Sequence, residues 1–97
     1  MALSSVAQTA GSSSPTSIFG AADGARRALH LECVAGSANP AEFVVTWAGG
    51  ETTTFRLAAG ATRTVYGQNQ NFLPTIVGVT VQGVGGNATY SHSLVMP

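Results

Sequence analysis

Lysine is absent from this chain, and charge of either sign is scarce: 8% of its 97 residues are charged, against roughly 25% in an average soluble domain. Arg26, Arg27, Arg56 and Arg63 balance Asp23, Glu32, Glu42 and Glu51 to a formal charge of zero. So thin a field argues against generic nucleic-acid binding, which needs a basic surface. It argues equally against electrostatic recruitment to a membrane. A small domain near zero net charge tends to associate, and a surface that is always covered needs few solubilising charges. We read the deficit as a sign of permanent assembly. Cysteine is limited to Cys33, so neither a disulfide framework nor a cysteine zinc cluster forms within one chain. No apolar run approaches the ~20 residues of a membrane span. The opening MALSSVAQTAGSSSP has no basic segment followed by an apolar run, so we expect no secretory leader and synthesis in the cytoplasm. Without secretion, the acceptor-like Asn87-Ala88-Thr89 is a chance match.

What is present is alternation with a period of two. Leu29, Leu31 and Cys33 point one way and His30, Glu32 and Val34 the other. Phe43, Val45 and Trp47 share a face, as do Phe55 and Leu57, Arg63 and Val65, Val77, Val79 and Val81, and Tyr90, His92 and Leu94. Runs of this kind, rich in β-branched and aromatic residues and broken by Gly every 8–12 residues, predict an all-β antiparallel sandwich. We expect six to seven strands over a domain at 18–97, with SIFG (17–20) as a short extra strand. The best helical candidate, AADGARRAL (21–29), carries Gly24 in its middle and is allowed at most one turn. Gly49-Gly50 and Gly85-Gly86-Asn87 each predict a tight hairpin, and Ser37-Ala38-Asn39-Pro40 a turn. Residues 1–17 are Ser-, Ala- and Thr-rich and too bland to bury much surface. They read as an extended arm that a partner would hold.

Phe55-Arg56-Leu57-Ala58-Ala59-Gly60 continues into Ala61-Thr62-Arg63-Thr64-Val65-Tyr66, two strands about a corner where Gly60 supplies a positive φ. The spacing of Phe55, Leu57, Gly60 and Val65, after Asn39, Pro40, Phe43, Val45 and Trp47, resembles the middle of immunoglobulin-like or fibronectin-type sandwiches. Such sandwiches occur in bacterial surface modules and phage virion proteins. The resemblance implies an Ig-like sandwich without the cysteine pair of antibody domains.

Chemistry-bearing constellations are few. His30 and Glu32 share a strand face, and His92 would join them if the first and last strands of the domain pair, but no spacing demands a metal. A nucleophile triad would have to draw on Asp23, the sole Asp, without a Gly-x-Ser-x-Gly turn. Cys33 sits in an apolar alternation suited to a core thiol. Glu32, Glu42 and Glu51 have no paired-carboxylate motif, and Gly83–Ala88 is no phosphate cradle because no helix follows. We therefore expect no enzyme, no cofactor, no metal and no catalytic residue. Sugar binding is a sharper option: Tyr66 precedes Gln68, Asn69, Gln70 and Asn71, an aromatic platform beside amides. Arg56 and Arg63, if a hairpin joins them, suit a protein interface by their planar, weakly hydrated heads, and Pro15, Ile18 and Phe19 would complete it where the arm meets the domain.

The leading expectation is a structural phage virion protein, a capsid decoration or cement subunit. Its partners would be capsid or other virion subunits, and it would form a homo-oligomer, a trimer among the forms considered. It would bind neither nucleic acid nor membrane, and it would be made in the host cytoplasm and reside in the virion. The alternatives are a carbohydrate-binding or adhesive module, and a tail, neck, fibre or filament component.

Overall fold

The computed structural model describes residues 8–19, 28–66 and 75–96, with side chains for 8–18, 28–66 and 75–93. Among the described residues there are eight strands: β1 (Gln8–Ala10), β2 (Thr16–Phe19), β3 (Ala28–Cys33), β4 (Ala41–Trp47), β5 (Thr52–Leu57), β6 (Thr62–Tyr66), β7 (Ile76–Gly83) and β8 (Ala88–Met96). They form two antiparallel four-stranded sheets, ordered β1-β8-β3-β6 and β2-β7-β4-β5. The all-β sandwich expected from the alternation is the observed architecture.

The strand order differs from the immunoglobulin one. In that fold some consecutive strands are sheet neighbours, as A with B and D with E. Here β4 and β5 alone are consecutive and paired; every other step along the described strands passes from one sheet to the other. This is an eight-stranded jelly roll. Two hairpin expectations are corrected by it. The Gly85-Gly86-Asn87 turn links β7 to β8 across the sandwich, and the Ala58–Gly60 corner likewise carries β5 into β6 of the opposite sheet. The φ of 87° at Gly60 and 82° at Gly85 explains the glycines at both corners. Gly49-Gly50 does close a hairpin, with the Gly50 amide donating to the Trp47 carbonyl (2.8 Å) and the Trp47 amide to the Glu51 carbonyl (2.8 Å).

The strand count exceeds six to seven because residues expected in the arm belong to the sheets. Gln8, Thr9 and Ala10 pair with Tyr90, Thr89 and Ala88, while Thr16 and Ser17 pair with Val81 and Thr80. Ala10 and Ala88 are fully buried against the core. The Gly83 amide donates to the Gly11 carbonyl (2.9 Å) and Gln82 Nε2 to the Ser12 carbonyl (2.6 Å). An edge strand is held by main-chain bonds that bland side chains supply as well as any others. Residues 1–7 lie outside the described residues, as do 21–27 of the helical candidate, whose Ala28 and Leu29 are in β3.

The inner faces make one core. Leu29, Leu31, Cys33, Val65 and Tyr90 from one sheet meet Phe43, Val45, Leu57, Ile76, Val79 and Val81 from the other, all under 9% exposed. Phe43 sits at the centre, its ring 5.6 Å from Phe55 in a stacked pair and 6.4 Å from Tyr90 edge-on. Trp47 is half-buried against this core, and its Nε1 donates to Thr53 Oγ1 (2.9 Å). Ile76, not Val77, is fully buried, because the pairing slips between Thr46↔Gly78 and Trp47↔Ile76. One inserted residue turns the following side chain to the other face.

Candidate protein interface

The open edges position the candidate site. β6 pairs with β3 alone and β5 with β4 alone among the described strands. The corner at Ala58–Gly60 brings these two edges to the same side of the sandwich. There the Arg63 guanidinium carbon lies 4.4 Å from the centroid of the half-buried Phe55 ring, within cation–π range. Arg63 thus points inward along its strand, with Val65, but ends at the rim.

β5 is the longer edge. Thr52, Thr53, Thr54 and Arg56 are exposed, while Phe55 is half-buried and Leu57 buried. Its register with β4 runs unbroken from Thr46↔Thr52 to Ala41↔Leu57. The Trp47 amide to Glu51 carbonyl bond identifies Trp47–Glu51 as a hydrogen-bonded pair. Such pairs alternate in an antiparallel ladder, so Thr53, Phe55 and Leu57 bond to β4. Thr52, Thr54 and Arg56 turn their amides and carbonyls outward. The Thr-Thr-Thr run was the sequence signal for this edge; which strand it would border was not readable there.

Arg56 and Arg63 do not lie on paired strands, contrary to the hairpin expectation. Arg56 Nε meets Glu42 Oε2 at 2.9 Å across β4 and β5. An exposed pair of this kind is worth about 0–1 kcal/mol, and it gives Arg56 a carboxylate partner within the chain. Pro15 is exposed between β1 and β2, and Ile18 is partly buried, packed against the core. Phe19 pairs through its backbone with Val79, and its side chain lies outside the described set. Tyr66 is 63% exposed at the end of β6. Gln68, Asn69, Gln70 and Asn71 lie outside the described residues.

The metal constellation is not brought together. β3 and β8 do pair, but Leu31 faces His92, while His30 faces Ser93 and Glu32 faces Ser91. His92 is therefore on the inner side with Leu31, and His30 and Glu32 are on the outer. His30 Nδ1 shares a hydrogen bond with Thr64 Oγ1 (2.9 Å), and Ser91 Oγ donates to Glu32 Oε1 (3.1 Å). Among the described residues no three His, Cys, Asp or Glu converge. Burial pushes the His92 imidazolium below its ordinary range and the Tyr90 phenol above its own. Tyr90 is satisfied by its hydroxyl, which donates to Gln8 Oε1 (3.0 Å).

No family model matches the chain, and no curated protein matches it. A solved Bacillus endospore appendage subunit, described as one of a novel family of disulfide-linked pili, superposes with a TM-score of 0.49 and 16% identity. The match covers 99% of this chain and 89% of that one. At this level of similarity it assigns no family and no function.

Proposed function

We propose that the chain is a structural subunit of a multi-copy particle that works by binding and not by chemistry. The observation that carries this reading is the long, exposed β5 edge, which no described strand covers, on a jelly roll of zero formal net charge. Natural sheets protect such edges with charged side chains, Lys above all, with Pro, bulges or inward charges; β5 carries only Arg56, whose charge is paired with Glu42 on the neighbouring strand. An edge left open is one that a partner finishes. The scarcity of charge supports the same reading, since of the charged side chains in the sheets Arg56, Glu42, Glu32 and Arg63 are each engaged within the chain.

The particle we favour is a virion, with the chain as a capsid decoration or cement subunit among its neighbours. Eight-stranded jelly rolls recur in viral capsid domains, which supports this at the level of fold analogy. The test is compositional. Particles purified by density gradient from the producing culture should contain the chain in stoichiometric, many-fold copies, and antibodies to it should decorate their surface. A chain found in the soluble fraction, with none on any particle, would overturn the proposal.

Tyr66 favours one second reading. A tyrosine this exposed is a stacking platform for sugar, and lectins also use the jelly roll. A glycan array with signal abolished by Tyr66→Ala would support sugar binding; an empty array would remove it.

A further inference from the structure

We infer that β5 is a self-pairing edge. Two copies join their β5 strands antiparallel about a two-fold axis at Thr54, making one continuous eight-stranded sheet from two four-stranded ones. This rests on the structural-subunit reading and names its first partner as a second copy of the chain.

The register follows from which groups point outward. Thr52, Thr54 and Arg56 present amides and carbonyls that meet no partner among the described residues, spaced evenly about Thr54. An antiparallel copy set over that centre faces Thr54 with Thr54 and Thr52 with Arg56. Every outward group then meets an outward group, giving about six main-chain hydrogen bonds, two for each facing pair. A join that repeats the same patch on both sides is the isologous contact that closes a dimer.

Side chains agree with this register. Arg56 is paired to Glu42 on the outer face (2.9 Å), and the copy's Arg56 is displaced from it by four residues along the strand, so the two Arg56 side chains do not face each other. On the inner face the half-buried Phe55 is set opposite the small Thr53 of the copy. With no Lys and a formal charge of zero, no net charge holds two copies apart.

The other edges are worse candidates. β1 has three residues, and β2 is short with a slip between Ser17 and Phe19. β6 is unbroken in register, but its inner face carries Arg63 over Phe55. On that strand the inward charge belongs to the pairing edge itself, a known block to edge pairing, whereas at β5 Arg63 comes from the opposite sheet and is held against the Phe55 ring.

The test uses the full chain and analytical ultracentrifugation. Wild type should sediment as a dimer or an even-numbered assembly. Thr54→Lys places two ammonium groups across the axis, and Thr54→Pro removes one outward amide per copy while leaving the β4 ladder intact. Each should raise the dimer dissociation constant about tenfold or more, with circular dichroism unchanged. Thr54→Cys should form an interchain disulfide in mild oxidant, since facing Cα atoms lie about 5.5 Å apart in such a pair. Thr62→Cys, on the β6 edge, should not. A monomeric wild type at several hundred micromolar, or equal cross-linking at both cysteines, overturns the inference. An assembly whose mass is unaffected by Thr54→Lys overturns β5 pairing while leaving the structural-subunit reading intact. Absence of the chain from every particle would remove that broader reading without touching the dimer.

Discussion

Replacing Phe43 by Ala tests the centre of the sandwich. The side chain is fully buried and touches two other rings, Phe55 at 5.6 Å and Tyr90 at 6.4 Å. A buried Phe removes about 150–250 Å² from water, worth about 4–6 kcal/mol as an upper bound at roughly 25 cal/mol per Å². Measured Phe→Ala losses in cores run about 3–5 kcal/mol, so we expect about 4 kcal/mol. A domain of this size has on the order of 5–15 kcal/mol in total. The variant therefore sits near the edge of stability, its Tm lowered by about 15–30 °C. Phe43→Leu keeps most of the volume and should cost only about 1 kcal/mol. Trp47 is the single tryptophan and packs on the same core, so its fluorescence in urea reports unfolding directly. A loss for Phe43→Ala below about 1.5 kcal/mol, or one equal to that of Phe43→Leu, with the same urea slope, would refute a close-packed core around this ring.

Three further outcomes follow from the same packing. A Cβ on Gly83 would meet the Gly86 carbonyl oxygen in hard overlap and the Ala88 nitrogen at 2.9 Å, whereas at Gly36 nothing lies within 4 Å. Gly83→Ala should therefore cost about 3 kcal/mol and Gly36→Ala less than about 0.5 by urea titration. Asn39 Nδ2 donates to the Asn87 carbonyl (2.9 Å) and ties the β3–β4 corner to the β7–β8 corner; Asn39→Ala should cost about 1 kcal/mol in the same assay. Burial lowers the His92 pKa in the folded chain. Its contribution is then complete above the unfolded value of about 6.5 and declines as pH falls through and below it toward the folded pKa. Melting temperatures measured from pH 8 to pH 4 should show this decline, and His92→Gln should flatten that part of the curve.

Local pattern alone determined which residues face inward along each strand. Leu29, Leu31 and Cys33, and Phe43 and Val45, alternate in the sequence and are buried as that alternation requires, because a pleated strand sends successive side chains to opposite faces whatever it pairs with. Gly49-Gly50 and Gly60 were likewise readable, since positive φ is a demand of the backbone at one residue. The candidate edge was legible only as a Thr run; that it borders the sheet required the strand order. Tertiary structure decided the rest. Gly85-Gly86 looks the same whether the next strand turns back in one sheet or crosses to the other. Gln8–Ala10 became a strand because β8 had an edge to offer, not because Gln, Thr and Ala asked for one. Ile76 displaced Val77 from the core through a one-residue slip against β4. Pairing joins residues distant along the chain, and its free energy depends on both strands at once, so one strand's sequence cannot specify it.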